Sequence, residues 1–487
     1  MTEIFFIFSS ISSEFILSVG SLFLLMLGLF RKKTDKLIIY LGVLLLLTSL
    51  LSAQVNFGKG TQFFFNHSLL LNGFVNFTKC IIVIGAILSL LLAAAYGNIN
   101  KIFYNSEYTV LILFAVVGML VMLSANDFMT LYLGVELQSL CLYILASYDR
   151  DNTLSAEAGL KYFILGALSS GILLFGVSLI YGFSGTINFT QFSFLYQHYP
   201  TDNVIPIGIL IGMMMIIVGL SFKIAAVPFH MWIPDVYQGS PLPVTAFFSI
   251  VPKIAALMIL ARLMLIHFDI WTDSWIQIIS FLSASSMVVG AFGAIRQNNI
   301  KRLLAYSAIG HVGYMLIGIA TQNELGLQDL ILYTMVYGLL NAGIFALIMM
   351  VQNKRKEDYN LTILSGLAKT HPMIAAAIAM IMLSMAGIPP FAGFVVKFYI
   401  FIAAVKFDLY ALAIVGLLTS VISSYYYLRV IKIMYFEDVI VNNVNVKDYY
   451  FENVIIAGIV VILNAVFFVV PSKFNDDIYV YISSLVE

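Results

Sequence analysis

Five ionisable side chains, Glu136, Lys223, Lys253, His311 and Lys397, lie inside long apolar runs of a 487-residue chain. A charged group at the centre of a bilayer costs about 2.5–3.5 kcal/mol on insertion scales, so a membrane helix keeps one only where protein or water surrounds it. Intramembrane ionisable groups mark ion paths, and the chemistry open to this set is proton transfer. A lysine whose charge is destabilised by its surroundings can both take up and release a proton. A carboxylate that approaches or retreats biases that exchange, and Glu136 is the carboxylate of the set. His311 reads as a proton relay, with a helix–helix hydrogen bond as the alternative. Other charged residues read as structural. Lys79, Lys161 and Arg262 lie within a turn or two of a span end, close enough to snorkel to the interface. His230 and Asp235 lie near one end of the seventh span and read as caps of a helix break.

The elements that must position these groups follow from composition. Hydrophobic residues make up 61% of the chain and charged residues 10%, far below the roughly 25% charged of a soluble domain. Apolar runs of 18 or more residues recur throughout, and they are too long for the strands of a membrane barrel. The chain therefore reads as an all-α polytopic membrane protein with fourteen spans. They lie near 12–30, 37–53, 74–96, 107–125, 127–148, 158–183, 204–236, 241–267, 273–295, 301–320, 327–352, 372–403, 408–435 and 452–470. On a rise of about 1.5 Å per residue, Glu136, Lys253 and His311 each fall roughly 14–18 Å into their spans, near one midplane.

The seventh and twelfth spans are too long for a straight crossing, and each contains proline: Pro228 in one, Pro389 and Pro390 in the other. Proline removes a backbone donor and clashes with the preceding turn, so both spans should be interrupted. Paired interrupted helices in two halves of a chain point to an ion path at a repeat interface. The 174 residues from Lys223 to Lys397 also carry Glu136 to Gly310, beside His311, which suggests a repeat of about five helices. The organisation expected within a single membrane domain, 1–487, is a three-helix segment over 1–100, repeats over 107–267 and 273–435, and a last helix over 452–470.

Lysine and arginine orient the bundle. The loops after odd-numbered spans hold fourteen, from Arg31 to Lys447; those after even-numbered spans hold little beyond Lys59 and Lys406. The positive-inside bias places the odd loops in the cytoplasm and both termini outside. The N-terminus lacks the basic region of a cleaved signal, so the first run should persist as a helix. A net charge of zero offers no patch for nucleic acid. Cys80 and Cys141 lie in apolar segments without metal-binding spacing, and no glycine-rich phosphate cradle follows a strand.

Three motifs carry a resemblance. Lys223 and Lys253 flank Pro228-Phe-His-Met-Trp-Ile-Pro-Asp235 and its continuation to Phe247; Leu303-Leu-Ala-Tyr-Ser-Ala-Ile-Gly-His-Val-Gly-Tyr314 and Ala386-Gly-Ile-Pro-Pro-Phe-Ala-Gly-Phe-Val-Val-Lys397 follow in order. Together they resemble the antiporter-like membrane subunits of respiratory complex I, the NADH–quinone oxidoreductase, over about residues 105–435. A lysine at 397, where one member of that family has glutamate, resembles a bacterial fourteen-span member. The resemblance implies two inverted five-helix repeats and proton translocation coupled to quinone reduction. It implies Glu136 and Lys223 as a coupled pair, Lys253 as central relay and Lys397 nearest the outward exit. It also implies a bacterial inner-membrane location among other membrane-arm subunits. FMN, iron–sulfur clusters and quinone would then belong to partner subunits, with no cofactor or soluble substrate bound here. A subunit of a multi-subunit cation/proton antiporter is the alternative.

Overall fold

The computed structural model describes residues 11–30, 36–57, 60–198, 207–351, 359–439 and 451–469. The basic residues of 31–33 and 354–356, together with Lys59 and Lys447, lie outside them.

Helices α1 (Ser12–Phe30), α2 (Leu37–Val55) and α3 (Gly73–Tyr96) form the N-terminal segment, with a hairpin of β1 (Gln62–Phe64) and β2 (Leu69–Leu71) between the last two. Next come α4 (Ser106–Ser124), α5 (Phe128–Ala146), α6 (Thr153–Ser184), the short α7 (Phe189–His198), α8 (Ile207–Ile224), the short α9 (Ile233–Gly239) and α10 (Leu242–Arg262). The second half holds α11 (Thr272–Ile295), α12 (Ile300–Ala320), α13 (Glu324–Val351), the single turn α14 (Leu367–Thr370), α15 (Pro372–Ala386), α16 (Ala392–Lys406) and α17 (Tyr410–Phe436). Helix α18 (Phe451–Val469) is the last described.

Among the described residues, thirteen helices are long and apolar enough to cross a membrane. The fourteenth crossing is divided. Helices α15 and α16 have 15 residues each, about 22 Å apiece, too short to span a 30 Å core alone. Each expected span has a counterpart and both proline-bearing spans are interrupted, so the protein is an all-α polytopic membrane protein. The hairpin and α7 were not expected. Both are short segments whose patterning is weak beside the long apolar runs.

The two halves repeat one packing scheme. In the first, α4 packs on α5, α5 on α6, α6 on α8, and α10 closes back onto α4. In the second, α11 packs on α12, α12 on α13, α13 on α15 and α16, and α17 closes back onto α11. Glycine sets the closest approaches. A Cβ on Gly118 would lie 2.6 Å from the Gln138 amide of α5, and one on Gly290 would collide with the Gly310 backbone of α12. Where hydrophobicity cannot drive helices together, such close backbone contact can.

Helix α10 occupies the centre, packed against α3, α8 and α13, and every one of its side chains is buried. The expected snorkelling is corrected at two positions. Lys79 is buried and bonds Glu14 of α1 at 2.5 Å, which in turn accepts from Ser13 and Ser124. Arg262 is buried and donates to the carbonyls of Leu123 and Ala125 at 2.9 and 3.0 Å, closing the end of α4. Both sit among tightly packed helices where polar partners lie nearer than any interface. Lys161 alone is half-exposed, paired with Glu157 and Asp235.

Candidate proton-relay site

An interruption leaves four carbonyls unpaired at the end of one half-helix and four amides unpaired at the start of the next, and in hydrocarbon each must find a partner inside the protein. At the first break, α8 stops at Ile224 and Ala225 takes φ +60°, a conformation rare outside glycine. The indole N–H of Trp232 donates to the Phe222 carbonyl at 3.0 Å, and the Val227 amide donates to Ser286 Oγ at 2.9 Å. Trp232 is fixed in turn by stacking on Tyr162, with centroids 4.4 Å apart. His230 does not cap this break by a bond of its Nδ1, which has no partner. Asp235 ties the following helix α9 to both halves, accepting from Lys161 of α6 and Arg302 of α12, each at 2.7 Å. Burial raises the Asp235 carboxyl, but the hydrogen bonds and charges of Lys161 and Arg302 outweigh that and hold it below the ordinary carboxylate range.

With the break closed by other groups, the Lys223 ammonium turns to hydroxyls of neighbouring helices. It donates to Ser139 Oγ of α5 at 2.7 Å and reaches Tyr143 and Ser170 at 3.5 Å. Glu136 stands one turn before Ser139, on the same face of α5. Its Oε1 is buried without a hydrogen-bond partner, and no ion pair joins it to Lys223. Glu136 therefore shares its face of α5 with the serine hydroxyl that binds Lys223, which reaches that face from α8.

Lys253 is 2% exposed, and among the described residues its Nζ has no hydrogen-bond partner. The Tyr237 ring of α9 lies 5.4 Å from it. His311 is held on both sides, Nδ1 to Tyr333 OH of α13 at 2.8 Å and Nε2 to Tyr427 OH of α17 at 3.0 Å. Tyr427 bonds Ser307 as well. The Tyr314 ring lies 6.1 Å from His311 and 5.1 Å from the Lys397 ammonium. Lys397 donates to the carbonyls of Met385 and Ala386 at 2.9 and 3.1 Å and to Ser420 at 3.2 Å. These two carbonyls end α15, the negative pole of that half-helix.

His311 and Lys397 thus belong to one polar cluster bound by tyrosines. Lys253 approaches it through the packing of α9 on α12 and of α10 on α13. Lys223 lies in a separate nest of hydroxyls. Sequence reading passed over the tyrosines, Ser139, Ser170 and Ser420. A signal existed: Ser307, His311 and Tyr314 recur at four and three residues, as do Tyr333 with Tyr337 and Ser139 with Tyr143, one face each.

A fourteen-crossing bundle with two interrupted spans and buried lysines beside them defines a class, the antiporter-type membrane subunits of ion-translocating complexes. The family model described as NADH:quinone oxidoreductase/Mrp antiporter, TM matches residues 125–423. Chains of the same shape occur in the Mrp complex from Dietzia sp. (TM-score 0.85, 22% identity, covering 98% of this chain and 97% of that one) and in respiratory complex I from Thermus thermophilus (TM-score 0.78, 28% identity, 95% and 98%). The chain is 49% identical to NADH-quinone oxidoreductase subunit N of Rhodospirillum rubrum over 87% of both chains. It is 47% identical to that of Pelagibacter ubique over 87% of this chain and 88% of the other. The chain belongs to the NADH–quinone oxidoreductase subunit N family.

Proposed function

We propose that this chain carries protons across a bacterial cytoplasmic membrane as a subunit of NADH–quinone oxidoreductase. Electron transfer from NADH to quinone takes place in partner subunits that hold FMN, iron–sulfur clusters and quinone. One observation carries the reading. Lys79 shows what a structural buried lysine looks like here, with a carboxylate at 2.5 Å. Lys223, Lys253 and Lys397 are equally buried, yet among the described residues none has a carboxylate within ion-pair distance. Burying a charge without a counter-charge is costly, and a stable scaffold would not retain three.

The lysines act in sequence. Glu136 biases Lys223, Lys253 receives the proton at the centre, and the His311 cluster passes it to Lys397 on the outward side. The orientation rests on the basic residues of the odd-numbered loops, which put both termini outside. Moving one charge against 100 mV costs about 2.3 kcal/mol, so each transfer must be driven by the redox partner. The alternative, a cation/proton antiporter subunit, shares the fold, but the relatives at 46–49% identity are oxidoreductase subunits.

Lys253→Met tests the relay, since it keeps the side-chain length and removes the titrating group. In proteoliposomes of the assembled complex, protons moved per NADH oxidised should fall at least about tenfold, well inside the roughly 10²–10⁴ that a positioned proton-transfer group contributes. Unchanged pumping would overturn the reading. A sodium or lithium gradient dissipated without NADH would favour the antiporter.

A further inference from the structure

We propose that Asn464, on the last described helix, is a positioning residue that shapes the Lys397 site through the break in the twelfth span; the inference rests on Lys397 being a relay group. Helix α16 begins at Ala392 inside the protein, and its first amides have no partner within the helix. The residue at the N-cap of α16, Phe391, makes no capping hydrogen bond with its side chain. Asn464 Oδ1 accepts from the Ala392 amide at 3.1 Å and from Ser384 Oγ at 2.7 Å, and Ser384 Oγ accepts from the Gly393 amide at 3.0 Å. Ser384 is fully buried and Asn464 is 4% exposed, so lipid offers no substitute. Gly393 lies against the Ser384 carbonyl so closely that a Cβ would collide with it. The two half-helices are thus clasped at one point by a side chain from a third helix.

That point lies next to the relay group. The residues after Ser384 are Met385 and Ala386, whose carbonyls hold the Lys397 ammonium. Gly387 then turns the chain at φ +85°, with the Lys397 side chain where its Cβ would be. Fixing Ser384 fixes the two carbonyls. Helix α18 lies outside both five-helix units, yet it governs one end of the relay. Asn464 Nδ2 has no partner, so the residue acts here by its oxygen.

The test compares Asn464→Leu, which fills the same space without an acceptor, with Asn464→Asp, which retains the accepting oxygen. Ser384→Ala attacks the clasp from the other side. Proton pumping per NADH is measured against pH in proteoliposomes holding equal amounts of assembled complex, with Lys397→Ala alongside. Asn464→Leu and Ser384→Ala should each lower pumping severalfold and move the alkaline limb of the pH profile by about half a unit or more. The double variant should be little worse than either, because both break one network. Asn464→Asp should retain most pumping, with the alkaline limb at or above its wild-type pH, because an added carboxylate near Lys397 favours the ammonium form. A wild-type pH profile in Asn464→Leu beside a defective Lys397→Ala overturns the inference alone; normal pumping in Lys397→Ala overturns the relay reading beneath it. Loss of pumping in Asn464→Leu and Asn464→Asp alike, with no shift of the limb, reduces Asn464 to packing and also overturns it.

Discussion

The two interrupted spans solve one problem in opposite ways. At the first break, the exposed end of α8 is closed by an indole N–H from Trp232, a donor that does not titrate, and Lys223 is left to bond hydroxyls on other helices. At the second, the lysine itself closes the helix, its ammonium shared between the last two carbonyls of α15. In the first the proton-bearing group and the fold are held by separate bonds. In the second they are held by the same bonds, so a change in protonation at Lys397 acts directly on the geometry of the break. On the proposed relay, the difference would let the second break report the protonation of Lys397 through its shape, while Lys223 titrates in place.

Replacing each lysine by methionine should separate the two regions most sharply. Both variants should lose pumping by about tenfold or more, as expected when a proton-transfer group is removed. Their stabilities should diverge. Lys397→Met leaves two buried carbonyls unpaired, at about 1–3 kcal/mol each. Lys223→Met leaves Ser139 still donating to the Val135 carbonyl, so its structural loss should stay near 1 kcal/mol. Thermal unfolding of the assembled complex checks this, and equal shifts in melting temperature would erase the proposed contrast.

Much of this was readable before any coordinates, for a physical reason. Hydrocarbon penalises charge and exposed backbone so heavily that spans, their interruption at Pro228 and Pro389–Pro390, and the lysines within them stand out from one sequence. What was not legible carries little such penalty. Serine and tyrosine are tolerated in any membrane helix, so the spacing of Ser139 with Tyr143 and of Tyr333 with Tyr337 is a faint signal, and Ser170 and Tyr427 carry none until tertiary packing places them around Lys223 and His311. Lys79 was misread as snorkelling because its partner Glu14 lies 65 residues away, on another helix. Asn464 sits in an apolar run like any filler, and only the break it clasps gives it meaning. The short helix α7 was missed because ten amphipathic residues carry neither length nor proline as a marker.

A smaller effect tests the indole cap. Trp232→Phe keeps an aromatic ring to stack on Tyr162 but removes the donor to the Phe222 carbonyl. The Phe222 carbonyl keeps its bond from the Ala225 amide at 3.1 Å, so the loss is one hydrogen bond, about 0.5–1.5 kcal/mol. Because Lys223 keeps its hydroxyl partners, pumping should fall by less than the tenfold that about 1.4 kcal/mol represents. Amide hydrogen exchange over residues 222–232 should quicken while exchange over 384–393 does not change. If exchange at the first break stays at the wild-type rate, something other than Trp232 holds it.

The smallest effect belongs to Asp235, which ties α9 to α6 and α12 from a position outside the long spans. Its carboxylate is about a third exposed, and ion pairs of that kind are worth about 0.2–1 kcal/mol and weaken in salt. Because its carboxyl titrates below the ordinary range in the folded protein, the contribution is complete above the unfolded value, about 3.9, and is lost as pH falls through the folded value. Asp235→Asn should therefore lower stability by no more than about 1 kcal/mol, evenly between pH 5 and 8, with the gap to wild type narrowing in high salt. Melting curves at two salt concentrations and two pH values within that window measure both. A loss of several kcal/mol, or one insensitive to salt, would mean that the first break is held by this charged latch rather than by the indole, and that neither break leaves its lysine free of the fold.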